Sequence, residues 1–467
     1  MKVYDTYMKK LPYSKLPKTI LDAFQVTRRL GLQYIWIDSL CIIQDHDTDV
    51  HNEMAKMLQI YQNTLFTISA ASASKCSQGF LETQYNDPSI GAFYHPLRVD
   101  ENTMGSVLIS HQSVSWAAVG ADRQPINERG WTLQEAIITP RLLIFTKLNM
   151  VWKCQTDYSP DFNATSRDSR ERRRDGDGDG LVNSPWRELG SSYGYEFTSL
   201  KVIHDTPTPE APQNGTPFNR YGGLHSTWYS ILSEYTRRKF TVERDVLPAI
   251  SALAQVFASH FKCDYFAGLW GRHLVHDLTW ESSVCSQPQV AKSGSPSWSW
   301  AAMIGEVTYR GGNNEYARAE ILECSTTLVL NEAPFGAVTG GELVIRGHLK
   351  EVRLDTVQGK FLDYEGSVIP DATFSSDGDY GNWETSHGYG TCLQAWSLVL
   401  CDRHWRTNYD DLYRGGGYHP SKVSKECRAM VLIKSPLRSN CYRRIGLLTA
   451  GVDYPPYWWE EVTVTVV

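Results

Sequence analysis

The sequence predicts an α/β protein in which an N-terminal parallel sheet flanked by helices is followed by a helical middle region and a β-rich C-terminal region. Two observations support this fold class. In the first third of the chain, helical and strand-like patterns alternate with short connections, which is typical of parallel strands joined by right-handed crossovers. In the last third, short apolar runs alternate with turn residues, which favours strands.

The predicted N-terminal elements follow one another in a regular order. Residues 17–31 have a proline in the first turn, apolar side chains at helical spacing and a glycine at the stop, and they predict a helix. Leu32–Leu40 is a nearly continuous apolar run, which predicts a strand buried on both faces. Helical spacing over 47–61 predicts a second helix. Thr64–Ala71 and Arg141–Phe145 predict two more strands.

Composition divides the chain into four stretches. Residues 1–156 form the predicted α/β domain. Residues 157–223 are rich in proline, glycine, serine and charge, which is typical of a polar insertion or a linker. Residues 224–305 carry helical patterns. Residues 306–467 form the β-rich region, with strands predicted at 343–346, 429–433, 445–448 and 462–467.

Charge and cysteine content restrict the classes of partner and compartment. The chain has 467 residues and a formal net charge of -6, which gives no electrostatic reason to expect binding to nucleic acid or to an anionic membrane. Ten cysteines without a C-x-x-C pair predict reduced, mostly buried thiols. Neither a secretory signal nor a membrane span is predicted, so we expect a cytoplasmic protein.

Several short sequence motifs in the first third resemble, in order and spacing, the fungal heterokaryon-incompatibility (HET) domain. The most specific runs from Tyr34 to Asp45, and the others are residues 16–23, 30–32, 57–63, 67–71, 79–80, 129–135, 140–141 and 152–154. The resemblance implies a fungal protein of programmed cell death and self/non-self recognition. It also implies that the HET domain acts as an interaction or signalling module, through protein partners or self-association.

One departure from the family pattern bears on activity. HET domains usually begin with a strand that carries a Leu-Ser-Tyr-Cys-Trp-Gly-like motif, and residues 1–15 contain nothing similar. The first strand of the sheet is therefore expected to be absent. If that strand is central, its loss leaves neighbouring backbone groups unpaired and removes part of any ligand cleft. This departure favours the signalling module over catalysis.

A second likeness suggests an enzyme as the alternative. HET domains have been likened to TIR domains, some of which cleave NAD between nicotinamide and ribose. The segment Trp131-Thr132-Leu133-Gln134-Glu135 matches the spacing of their Trp-Cys-x-x-Glu motif, with threonine in place of cysteine. By this likeness, Glu135 is the catalytic carboxylate of an NAD glycohydrolase. The predicted substrate-binding residues are Asp38, Ser39, Asp45, Arg129 and Trp131. NAD would be the substrate, and no cofactor is expected.

Structural roles stay open for the same residues. Glu135 can be a helix-surface or capping carboxylate paired with Arg129 or Arg141, and Asp38 can cap the turn that follows it. Arg129 and Trp131 can anchor the helix to the sheet. Cys41 lies near His46 in the sequence, as in a thiol–imidazole pair, but it is interpreted as a buried structural cysteine. A further alternative is a degenerate relative without any remaining role.

Three other patterns are interpreted as chance. Residues 175–180 resemble the start of a calcium loop but lack the glutamate at its twelfth position. The G-x-S-x-G match at 190–194 has no buried strand before it. No metal site is predicted, because the histidines and cysteines of the C-terminal half lack zinc spacing; these are His273, His276, Cys392, Cys401 and His404.

Overall fold

A computed structural model of the chain describes a defined set of residues. These are residues 7, 9–81, 92–98, 100, 103–110, 124–146, 150–155, 158–159, 200–205, 218, 223–283, 289–290, 292–310, 314–355, 360–361, 367–370, 392–407, 422–451 and 459–467. The chain divides into two compact units, Met1–Val202 and Ile203–Val467. The calcium-loop and G-x-S-x-G matches, and most of the 157–223 segment, lie outside the described residues.

The N-terminal unit combines short helices with a small mixed sheet. Its helices are α1 (Lys18–Arg29), α2 (Asp38–Cys41), α3 (Asp47–Ala55), α4 (Met57–Gln62) and α5 (Thr132–Ile138). Its strands are β1 (Thr67–Ser69), β2 (Ala92–Arg98), β3 (Met104–Ser110), β4 (Arg141–Phe145), β5 (Met150–Cys154) and β6 (Tyr158–Ser159). A four-stranded sheet has the order β1-β4-β5-β6, and β2 pairs separately with β3.

The predicted parallel sheet is correct only in part. β1 and β4 pair in parallel, with Ile68 opposite Leu143, as expected for strands joined by a helical crossover. β5 and β6 continue the sheet in antiparallel fashion. The side chains of β4 explain its central position, because Leu142, Leu143 and Ile144 are all buried. The sheet is therefore mixed.

Helix α1 confirms the first predicted element. Pro17 precedes its first turn, and Gly31 follows its end with a φ of 72°. The Gly31 amide donates to the carbonyl of Arg28, and the Leu32 amide donates to that of Thr27, which together form a Schellman motif. Ala23 and Val26 on one face of the helix pack into a core with Phe80 and Leu143.

The strand predicted at Leu32–Leu40 is wrong. The segment forms no strand ladder within the described chain, and α2 begins at Asp38. Burial on both faces is wrong as well, because Tyr34 is 88% exposed whereas Ile35 packs against the core around Phe80. Apolar composition gives an extended backbone here, but a strand also requires a neighbouring strand that completes its backbone hydrogen bonds.

The helix predicted at 47–61 forms, with an interruption at Lys56.

The C-terminal unit begins with the predicted helical region, which also contains short strands. Its helices are α6 (Leu200–Asp205, which spans the boundary between the units), α7 (Gly223–Thr236), α8 (Ser251–Phe261) and α9 (Leu274–Asp277). The short strands are β7 (Tyr265–Phe266), β8 (Leu269–Trp270), β9 (Glu281–Ser282), β10 (Gln289–Val290), β11 (Met303–Ile304) and β12 (Val307–Thr308). They form three two-stranded pairs.

A nine-stranded sheet confirms the predicted β-rich region. Its strands are β13 (Asn314–Ala317), β14 (Glu320–Leu328), β15 (Val338–Asp355), β16 (Lys360–Phe361), β17 (Ser367–Pro370), β18 (Cys392–Thr407), β19 (Lys422–Lys434), β20 (Cys441–Gly451) and β21 (Glu460–Val466). The sheet closes on itself, because β15 pairs with both β18 and β21, and β21 also pairs with β20. This closure satisfies backbone groups that an open sheet would expose at its edges.

Candidate functional site

The candidate site is built around the first turn of α5. Thr132 fixes this turn, because its hydroxyl donates to the carbonyls of Ile126 (2.8 Å) and Arg129 (2.9 Å). Leu133 and Ile137 face the core, with 0% and 1% of their surface exposed. Glu135 lies between these two apolar positions and is partly buried. The helix therefore holds the carboxylate at the margin of the core, where solvent still reaches it.

Tyr61 of α4 is the direct partner of that carboxylate. Its hydroxyl interacts with the Glu135 carboxylate, and α4 packs against α5. The Trp36 ring meets the Tyr61 ring edge-on, with centroids 5.9 Å apart and planes at 77°. The extended segment before α2 thus supports the tyrosine from one side. Sequence analysis had assigned Tyr61 only to a helix face.

Two of the predicted binding residues act on the same hydroxyl. Burial raises the pKa of Tyr61 far above its ordinary value, and the negative charges of Glu135 and Asp38 raise it further, while Arg129 lowers it. Tyr61 therefore stays a neutral donor across the physiological pH range. Asp38, which is far from Arg129 and Glu135 in the sequence, acts together with them on one side chain.

The other predicted site residues are mostly exposed, and none of them lines the cleft described below. Ser39 and Asp45 are exposed, and Trp131 is partly buried one helical turn before Glu135. Asp38 is also exposed, and its Oδ1 accepts a hydrogen bond from the Ser39 amide (2.6 Å) at the start of α2. That bond reaches only the adjacent amide, and Asp38 is the first residue of α2 rather than its N-cap, which is Ile37. Arg141, the suggested partner of Glu135, donates to the carbonyl of Leu65 at 3.1 Å.

Cys41 differs from its prediction. Its side chain is exposed, so the interpretation as a buried structural cysteine is wrong. The nearby His46 ring accepts a hydrogen bond from the amide of Asp49 (3.2 Å) at the beginning of α3. A helix of one turn cannot bury all its side chains, and Cys41 lies at the end of such a helix. Of the cysteines whose side chains the structure describes, eight are free thiols and three of these are buried, so the prediction of mostly buried thiols is wrong.

A cleft opens beside Glu135 on the side of the sheet. It is lined by residues of β1, α5, β4 and β5 and by the turn before α5: Thr67, Ile68, Ser69, Ala71, Ile126, Asn127, Thr132, Glu135, Ala136, Ile137, Leu142, Ile144 and Lys153. Of the six predicted site residues, Glu135 alone is among them. Lys153 and Asn127 add a cation and an amide that sequence analysis missed, although Lys153 lies in one of the motifs that carry the HET resemblance.

A second set of contacts connects α1 to a distant loop. Asp22 is 7% exposed, and its Oδ2 accepts hydrogen bonds from the amides of Phe80 (2.7 Å) and Leu81 (3.1 Å). The Gly79 amide donates to the hydroxyl of Thr19 at 3.2 Å. These bonds join the motifs at 16–23 and 79–80, and they explain structurally why the two occur together.

The first part of the chain corresponds to a known family. Residues 3–135 match the family model described as heterokaryon incompatibility protein (HET). This segment of the N-terminal unit is similar to the HET domain. Searches of curated proteins and of solved structures gave no significant match.

Most of the side chains described above lie within the matched segment. Residues 3–135 include Asp38, Tyr61, Arg129 and Glu135, whereas Lys153 follows the matched segment. The match concerns the HET family alone, and the likeness to TIR domains stays a prediction. No helix in the described part of the chain is long and apolar enough to cross a membrane.

Proposed function

We propose that this protein acts in heterokaryon incompatibility and that its HET domain cleaves the nicotinamide–ribose bond of NAD, with Glu135 as the catalytic carboxylate. One observation supports the proposal: Glu135 borders a cleft and interacts with the Tyr61 hydroxyl, on which Asp38 and Arg129 also act. A carboxylate that served only as a helix cap would not require an orienting tyrosine at a cleft.

The chemistry needs an anion at a defined place. When the bond between C1′ of the ribose and the pyridinium nitrogen breaks, both electrons leave with nicotinamide, and positive charge develops on the ribose. A fixed carboxylate stabilises that oxocarbenium-like centre, as carboxylates do in glycosidases. Water then adds to C1′, and Glu135 accepts its proton. The products are nicotinamide, ADP-ribose and one proton.

The neighbouring residues have complementary roles in this proposal. Tyr61 holds Glu135 in one orientation, and its high pKa keeps it a donor rather than a competing anion. Lys153 lines the same cleft and would attract the pyrophosphate of the dinucleotide. Arg129 is exposed near the opening turn of α5 and would contribute positive charge during approach.

The test is nicotinamide release from NAD by the purified full-length chain. Glu135→Gln keeps the size of the side chain and removes its charge, so we expect release to fall by about 10²–10³-fold. Glu128→Gln is the matched control, because Glu128 is an exposed glutamate in the turn before α5 and does not line the cleft. Absence of release by the unmodified protein, or equal release by both variants, would contradict the catalytic proposal.

A signalling or interaction module is the second candidate function. It is favoured by the position of β1 at the end of the sheet order, where this three-residue strand pairs with β4 alone among the described strands. An end strand presents backbone groups that can pair with a strand of another copy or of a partner protein. Self-association that survives Glu135→Gln, measured by analytical ultracentrifugation while NAD stays intact, would support this function over the enzyme.

A further inference from the structure

A buried cluster in the C-terminal unit combines three different metal-binding side chains. His276 lies in α9, Glu315 in β13 and Cys401 in β18. One ligand atom from each, a ring nitrogen, a carboxylate oxygen and the sulfur, lies within 4.8 Å of the other two. All three side chains are buried, with Glu315 and Cys401 at 0% exposure and His276 at 4%.

The sheet register explains why two of them meet. In the antiparallel pair of β13 and β18, Glu315 is opposite Arg403 and Ala317 is opposite Cys401. Glu315 and Cys401 are therefore diagonal neighbours, and because side chains alternate along a strand they share one face. Sequence analysis missed the cluster because its members are far apart in the sequence. His276 and Glu315 are separated by 39 positions, and Cys401 lies further still along the chain.

The third member is positioned by its surroundings. His276 Nδ1 lies 3.2 Å from Oε2 of Glu315, and the Phe218 ring stacks on the imidazole with centroids 4.5 Å apart. Phe218 is itself held by two backbone hydrogen bonds to Glu315, at 2.8 and 3.1 Å. The imidazole and the carboxylate are thus fixed relative to each other by backbone pairing as well as by their own contact.

We propose that His276, Glu315 and Cys401 bind one divalent transition-metal ion of the zinc class. Nitrogen, oxygen and thiolate sulfur are the three ligand types that zinc accepts in proteins. Charge supports the same conclusion. A neutral imidazole, one carboxylate and one thiolate sum to two negative charges, which a divalent cation neutralises in a region where an uncompensated charge is costly.

His273 lies near the cluster without joining it. It is 2% exposed, and neither of its ring nitrogens has a hydrogen-bond partner in the described part of the chain. Its ring centroid lies 4.8 Å from that of Phe218, but its nitrogens are not among the ligand atoms that lie within 4.8 Å of one another. The proposed ion therefore has three protein ligands. Because all three are buried, the ion would join α9 to the sheet.

The experiment uses the full-length chain purified without chelators. We expect about one zinc ion per chain by mass spectrometry of the metal content, as for structural zinc sites. Replacement by Co²⁺ should give a thiolate-to-cobalt charge-transfer band in the near ultraviolet. Cys401→Ser should lose that band. Cys441→Ser is the matched control, because Cys441 is a buried thiol on another strand of the same sheet and should keep the band.

Measurements on the unmodified protein keep the proposal testable even if a variant fails to fold. Chelator treatment should lower its melting temperature, and stoichiometric zinc should restore it. A purified protein that lacks stoichiometric metal, shows no charge-transfer band with Co²⁺ and melts at the same temperature with and without chelator would overturn the proposal. The cluster would then be a hydrogen-bonded His276–Glu315 pair beside a thiol.

Discussion

The two units differ in how they are stabilised. Eleven side chains are the largest fully buried ones in the described chain, and Leu133 is the sole member from the N-terminal unit. The C-terminal unit buries five tryptophans in this set, together with a sheet that closes on itself. The N-terminal unit has two small cores, around Phe80 and around Ala71, and a four-stranded sheet.

This difference bears on where function resides. Burial of large apolar and aromatic side chains stabilises the C-terminal unit strongly. The described part of the N-terminal unit has fewer large buried side chains, but it places the exposed Asp38 and Arg129 and the partly buried Glu135 around the Tyr61 hydroxyl. Functional sites commonly lie on such less stable parts of a protein. Substitutions in the two units should therefore have effects that differ in size and in kind.

The largest effect is expected in the C-terminal core. The Arg444 guanidinium lies 3.5 Å from the centroid of the Trp280 ring, and its nitrogens donate to the carbonyls of Leu278 and Trp280. Arg444→Ala would remove this packing and leave buried carbonyls unsatisfied, so we expect a loss of about 3–5 kcal/mol in the free energy of unfolding. Hydrogen-exchange mass spectrometry should show faster exchange in C-terminal peptides and unchanged exchange in N-terminal ones.

An exposed arginine provides the control. Arg438 forms a solvent-exposed ion pair with Glu342, and such pairs contribute about 0–1 kcal/mol. Arg438→Ala should therefore leave protection nearly unchanged. Equal loss of protection in both variants would mean that removal of any arginine, rather than the buried packing of Arg444, destabilises the unit.

The next effect is expected in the N-terminal unit, at Gly79. Its φ is 74°, and a Cβ there would lie 2.5 Å from Oδ2 of Asp22. The left-handed conformation and the steric conflict together should make Gly79→Ala cost about 2–4 kcal/mol. Gly31 has nearly the same φ, 72°, but nothing within 4 Å of its added Cβ. Gly31→Ala should cost about 1–2 kcal/mol, so the difference between the two unfolding free energies measures the conflict alone.

Removing the Asp22 side chain should have a smaller effect. Asp22→Ala leaves the amides of Phe80 and Leu81 without their acceptor, which should cost about 1–3 kcal/mol. Asp22→Asn retains an acceptor oxygen and should recover part of this loss. Lys18→Ala tests the adjacent charge, since Lys18 Nζ is 3.9 Å from Asp22 and should contribute little. Urea unfolding followed by circular dichroism measures all three, and an Asn variant as unstable as Ala would contradict the hydrogen-bond explanation.

The sequence was informative where local chemistry decides the structure. The spacing of apolar residues, with a proline before it and a glycine after it, predicts helix α1. Short apolar runs predict strand β4 and the C-terminal strands. These signals act within a few residues of the chain. The segment at Leu32–Ile37 shows where prediction from local sequence fails. It would form a strand only if another strand lay beside it, and its own residues do not reveal whether such a neighbour exists. Tyr61 and Lys153 were missed for a related reason. Their roles arise from contacts across the fold, and a helix-face tyrosine or a strand lysine has no distinctive local pattern.

The smallest effect on stability, and the one most specific to the proposed chemistry, is expected for Tyr61→Phe. This variant keeps the ring that packs on Trp36 and removes only the hydroxyl that interacts with Glu135, so we expect a stability loss of about 1 kcal/mol. Glu135 would then sample more orientations, and nicotinamide release should fall by about tenfold, because positioning is lost while the carboxylate remains. The acid limb of the rate profile should also move to higher pH, since a lost donor destabilises the carboxylate anion. A shift of that limb cannot come from a uniformly weakened fold. If the rate falls without the shift, Tyr61 acts only through packing. The two units would then be distinguished by their stability and not by the proposed site.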